Sequence, residues 1–164
     1  MTTVRTLFEA VRDAWAGIPA PPAEDLKYMA WGWGEHAAHE FTGVAPVDVD
    51  IHSRGFYAAT PLLDLPARAA AAYLGTYLLA LLRGLDFQKT VGIFTDVIHR
   101  AHTLTCLTFP PFWERVVKPF LPAKCHEVLA QVTLFVASEH EDLALTPEQV
   151  DTMRALAADL LKSA

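Results

Sequence analysis

The sequence predicts an all-α, single-domain bundle of about six helices, with an extended segment near residues 44–54. Three observations carry this. Apolar residues recur at steps of three and four over most of the chain. Residues suited to helix boundaries, such as Thr3, Pro66 and Thr146-Pro147, stand where those runs begin. A length of 164 residues fits one compact core, burying roughly two-thirds of the surface an unfolded chain exposes.

The first helix rests on Val4, Leu7, Phe8, Val11, Ala14 and Trp15, with Thr3 as its cap and Gly17 as an expected left-handed stop. Ile18-Pro19-Ala20-Pro21-Pro22 cannot continue it, because successive prolines remove backbone donors and bar helical angles before them. A second helix is expected from Glu24 to Phe41, with Leu26, Ala30, Trp33, Ala37 and Phe41 on one face and Gly43 at its end. Trp31-Gly32-Trp33-Gly34 marks a bend or a close approach inside it. Val47-Asp48-Val49-Asp50-Ile51-His52 then alternates apolar and polar residues, which predicts an extended, half-buried stretch.

Asp64-Leu65-Pro66 forms the entrance to a helix over Ala67 to Leu82. That helix is apolar on nearly every side, so it is expected innermost, with Gly84 closing it. Phe87, Val91, Phe94, Ile98, Ala101 and Thr105 predict the next helix, and Pro110-Pro111 stop it. Phe112 to Phe120 predicts a short helix. After Pro122, Val128, Leu129, Val132, Phe135 and Val136 predict a longer one. Thr146-Pro147-Glu148-Gln149 combines cap, first-position proline, first-turn carboxylate and capping-box Gln ahead of a core face of Val150, Met153, Leu156, Ala157, Leu160 and Leu161.

The composition excludes several classes. With 52% hydrophobic and 20% charged residues, the chain is too apolar for global disorder. The net charge of −6, with no basic stripe, argues against nucleic acid and favours a basic protein surface. The longest uncharged stretch, Ala69 to Leu82, falls short of the roughly 20 residues needed to span a bilayer, so no membrane association is expected. Residues 1–11 lack the apolar core of a secretory signal, and Cys106 and Cys125 lack CxxC spacing. A cytoplasmic chain with buried free thiols is expected.

Several constellations could carry chemistry. Glu35 with His39, and His36 with Glu40, stand one helical turn apart, and Asp96, His99 and His102 lie at helical spacing on another segment. Histidine and carboxylate on facing helices suit a divalent metal, so His36, His39, Glu40, His99 and His102 are the candidate ligands. The plainer reading is solvated helix faces, because neither HExxH nor the full Glu-x-x-His arrangement of a dinuclear site is present. Asp48, Asp50 and His52 would share one side of the extended segment, fit for a basic partner or a metal, or serve as a polar edge. Cys106 near His102, and Cys125 beside His126, have a possible base in sequence, but buried structural cysteine is the preferred reading. No GxSxG, P-loop or GxGxxG motif occurs. Trp31, Trp33, Tyr57, Phe112 and Trp113 could include an exposed aromatic patch, with accessibility expected near Trp31 or Trp113.

The segment from Gly55 to Pro66, continuing through Tyr73-Leu74-Gly75-Thr76-Tyr77-Leu78-Leu79, resembles a pattern found in small uncharacterised bacterial helical proteins, as does Leu145-Thr146-Pro147-Glu148-Gln149. The resemblance spans about half the chain and rests on packing and capping residues. It implies no activity, and no functional residue carries over from it. The leading expectation is therefore a protein-interaction module of inhibitor, immunity or adaptor type, with Trp31, Trp33, Asp48, Asp50 and Trp113 as contact candidates and no cofactor. The alternative is a metal-binding protein or metal-dependent enzyme.

Overall fold

A computed structural model describes residues 3–26, 41–53, 62–91 and 97–163. Within them the chain is all-α, with no strand. The helices are α1 (Val4–Trp15), α2 (Ala23–Leu26 as far as described), α3 (Ala67–Val91), α4 (Val97–Leu107), α5, α6 (Ala123–Ser138) and α7 (Pro147–Ser163). Three joined pieces make up α5: Pro110–Phe112, a π-helical turn at Trp113–Val117, and Lys118–Phe120.

Helix α3 is the axis of the molecule, as its all-round apolar sequence predicts. Every residue from Ala69 to Leu79 is buried. Helix α1 packs against α3 and α6, and α7 packs on α6. One connected hydrophobic core joins these elements, with Trp15, Tyr73, Tyr77 and Trp113 among its largest fully buried side chains.

Local chemistry fixes the ends of α1. Thr3 and Thr6 cap each other's backbone N–H groups, at 3.2 and 2.9 Å, which satisfies two donors that have no partner within the helix. Gly17 does not take the expected left-handed conformation, since Gly43 is the described glycine with positive φ. A tight turn from the Ile18 N–H to the Trp15 carbonyl, 2.9 Å, ends the helix before the prolines instead.

The approach of α1 to α3 depends on one small residue. A Cβ added at Gly75 would lie closer than 3.0 Å to three ring atoms of Trp15, so the absent side chain is what admits the indole. The Trp15 ring N–H donates to the Ala71 carbonyl at 3.4 Å.

Residues 41–53 run as successive turns, with N–H groups of Val44, Asp48 and Ser53 bonded three residues back. No strand forms, yet burial alternates as the sequence pattern predicts: Val49 is buried, Val47 and Ile51 are half-buried, and Asp48, Asp50 and His52 are exposed. Side chains of α3 hold this segment. The Tyr73 hydroxyl donates to the Phe41 carbonyl at 2.7 Å, the two rings meet edge to face, and Thr76 donates to the Pro46 carbonyl at 2.6 Å.

Two expected boundaries differ. Helix α3 continues through Gly84 to Val91, because Leu81, Leu82 and Leu85 are all buried there and packing outweighs a local cost of about 1 kcal/mol for an interior glycine. Phe87 and Val91 thus belong to α3, and the following helix is the shorter α4. Pro110-Pro111 separate α4 from α5 and also start α5, where missing N–H groups cost nothing.

Candidate functional site

Exposed carboxylates gather at the end formed by the α6–α7 connection. Helix α6 stops where the Glu139 N–H bonds the Phe135 and Val136 carbonyls, both at 3.1 Å. The chain then turns back on itself, with Leu143 N–H to Glu139 O at 3.1 Å and Leu145 N–H to His140 O at 2.9 Å. Ala144 adopts a positive φ of 53°, a conformation unfavourable for any residue with a Cβ. Buried Leu143 repays part of that strain by anchoring the loop in the core.

Two further ties fix the loop. Gln88 of α3 donates its Nε2 to the Asp142 carbonyl at 3.3 Å, while its Oε1 is buried with no hydrogen-bond partner. Beyond the loop, the predicted capping box of α7 forms: Gln149 N–H to Thr146 Oγ1 at 3.2 Å and Thr146 N–H to Gln149 Oε1 at 2.9 Å. The turn therefore presents its charges from a fixed backbone.

The loop carries exposed Glu141 and Asp142, the start of α7 adds exposed Glu148 and Asp151, and Glu139 is half-buried at the end of α6. Between residues 139 and 154 the one Lys or Arg is Arg154, which lies 3.8 Å from Asp151. The carboxylate of Glu148 sits in the first turn of α7, where the helix dipole favours it. Such a surface offers several hydrogen-bond acceptors and a negative field to a cationic partner.

The sequence-based candidates fall in different places. Asp48 and Asp50 are exposed but not adjacent to this end in the chain; Asp50 Oδ1 accepts the His52 N–H at 2.9 Å, closing a local turn. Trp113 is a correction. It is only 1% exposed and its ring N–H donates to the Cys106 carbonyl at 3.1 Å, so it ties α5 to α4 and offers nothing to a partner. Apolar spacing around Trp113 outweighs the general enrichment of tryptophan in interfaces. Trp31, Trp33, Glu35, His36, His39, Glu40, Tyr57 and Asp96 lie outside the described residues, as does the side chain of His99.

Of the candidate metal ligands, His102 alone has a described side chain. It is half-buried on α4, and its Nδ1 is buried with no hydrogen-bond partner. Among the described residues no three His, Cys, Asp or Glu side chains converge as a metal site would require.

Neither thiol is built as a nucleophile. Burial pushes Cys106 up to about 12 and Cys125 up to about 11, so both are protonated at neutral pH. The Cys125 thiol donates to the Ala14 carbonyl at 3.3 Å, a contact between α6 and α1. Its sequence neighbour His126 is also buried, but turns to the π-helical turn, where Nε2 donates to the Val117 carbonyl at 3.2 Å. Adjacent numbers place these two groups on different contacts.

No protein-family model matches the chain, and no curated protein or solved structure matches it either. Among the described residues no helix is long and apolar enough to cross a membrane.

Proposed function

We propose that the chain is a cytoplasmic protein-interaction module of inhibitor, immunity or adaptor type that engages a basic protein surface through its acidic end. The supporting observation is the set Glu141 and Asp142 on the α6–α7 loop with Glu148 and Asp151 on the start of α7, all exposed, where the loop backbone is held by Gln88, Leu143 and the Thr146 capping box. Holding the loop in place lowers the ordering cost of binding. The absence of a helical segment fit to cross a membrane among the described residues, and a net charge of −6, accord with this role.

A fluorescein-labelled peptide of alternating lysine and leucine tests it by anisotropy. The triple change Glu141→Lys, Asp142→Lys and Glu148→Lys is expected to weaken binding at least tenfold, and wild-type binding is expected to fall with added salt. Equal affinity for the wild-type and triple-variant proteins would refute the assignment.

The second reading is a metal site involving His102, supported by its buried, unpartnered Nδ1. Elemental analysis of the purified protein decides it. Stoichiometric metal that is lost in a His99→Ala/His102→Ala double variant supports the reading, and metal-free wild-type protein eliminates it.

A further inference from the structure

We propose that the opposite kind of surface, along α5, is a second docking site that takes an acidic segment with two apolar anchors. Two shallow grooves flank this helix. The first, about 220 Å³, lies between the 3₁₀ turn at Leu62–Asp64, the start of α3 and the start of α5. Leu63 and Phe109 stand at it 42% and 43% exposed. The second, about 170 Å³, is bounded by the Ile18–Pro21 connector, Arg68, Ala72 and Phe120, the last 46% exposed. Half of the described large apolar side chains most open to solvent are thus on these two grooves.

Size selects the class of ligand. Pockets for small molecules usually enclose about 300–1,000 Å³. Each of these is smaller and open, a seat for one side chain rather than for a whole ligand. Phe112 and Val116 line the first groove, and Phe120 lines the second. Phe112 and Phe120 stand eight residues apart on α5, about 10–12 Å along its axis, a span that residues i and i+7 of a docked helix would match.

Charge selects the flanking chemistry. Each groove carries one arginine, Arg115 in the first and Arg68 in the second. Both are exposed, and neither makes an ion pair with a described residue; Arg68 stands four residues after exposed Asp64 without pairing with it. Nearby Glu114 is already held by Lys118 at 2.6 Å. An apolar seat beside a guanidinium that has no ion pair with a described residue calls for an apolar side chain with a carboxylate next to it, twice. This surface is independent of the acidic end, so either assignment stands without the other.

The test uses full-length protein and a labelled helical peptide with leucines seven residues apart and a glutamate beside each. Expected results are saturable binding, amide shifts in ¹⁵N spectra at Leu63, Arg68, Phe109 and Arg115, and at least a tenfold loss of affinity in an Arg68→Glu/Arg115→Glu variant with unchanged thermal unfolding. A peptide with lysine replacing each glutamate is expected to bind at least tenfold more weakly. The proposal is overturned if the two peptides bind alike, if the shifts map elsewhere, or if the glutamate peptide fails to bind. It is also overturned if phosphatidylcholine–phosphatidylglycerol vesicles, and not the peptide, show the arginine-dependent binding.

Discussion

At the scale of single residues, Gly75 admits the Trp15 ring between α1 and α3. Gly75→Ala gains helix propensity but drives a methyl group into the Trp15 ring, and overpacking of this kind costs about 1–3 kcal/mol. A lowered urea midpoint with unchanged m value is the expected result; a stabilised variant would show that the ring moves aside freely. The buried thiols give a second prediction. Cys106 and Cys125 both have native pKa values above their ordinary 9.0, so the unfolded chain loses these protons first as pH rises. Their contribution is complete below about pH 9 and is lost between there and pH 11–12. Denaturation midpoints measured from pH 8 to 11 should therefore fall, and a Cys106→Ala/Cys125→Ala variant, less stable throughout, should fall less steeply. Burial of the Tyr73 hydroxyl acts in the same direction.

At the scale of elements, Tyr73 and Thr76 make α3 a clamp for residues 41–47. Tyr73→Phe/Thr76→Val keeps the shapes but removes both donors, at a cost of about 0.5–1.5 kcal/mol for each bond. Hydrogen exchange of the Val44 and Asp48 amides should speed up while that of α6 does not; equal acceleration in α6 would make the effect global. Caps and periodicity made most elements legible in advance, because Thr3, Pro66 and Thr146 act on backbone within a turn of themselves. Gly84 misled because its local penalty is small beside the burial of Leu81, Leu82 and Leu85, and burial is set by neighbours far along the chain. The π-helical turn in α5 has no comparable local sign. For residues 44–53 the apolar alternation described burial correctly but not the backbone, since turns present alternate side chains to the core as well as a strand does.

At the scale of the whole molecule, a central α3 follows from its uniformly apolar sequence, whereas the candidate surfaces depend on which helix ends meet. The acid-rich Glu139-His140-Glu141-Asp142 run is visible in one dimension; its anchoring by Gln88 is not. The grooves on α5 combine residues from three separate stretches, and no spacing rule assembles those. Leu161 shows the same limit: its periodicity assigns it to the core, yet it is 47% exposed because α7 packs through Val150, Met153, Ala157 and Leu160. Removing the capping box with Thr146→Ala should destabilise the fold by about 1 kcal/mol and loosen the acidic loop with it. Faster exchange at Leu143 and Leu145 would verify that link, and an unchanged loop would break it.

The placement of α1 bears on how the chain is made. Its tryptophan binds a carbonyl 56 residues later, and its last turn accepts a thiol proton from 111 residues later. A nascent chain leaving the ribosome therefore carries an amphipathic helix whose first native mate, α3, follows about 56 residues later and whose second, α6, follows 111 residues later. Until α3 has emerged the apolar face of α1 is open to non-native contacts, and its packing is complete only once α6 has followed.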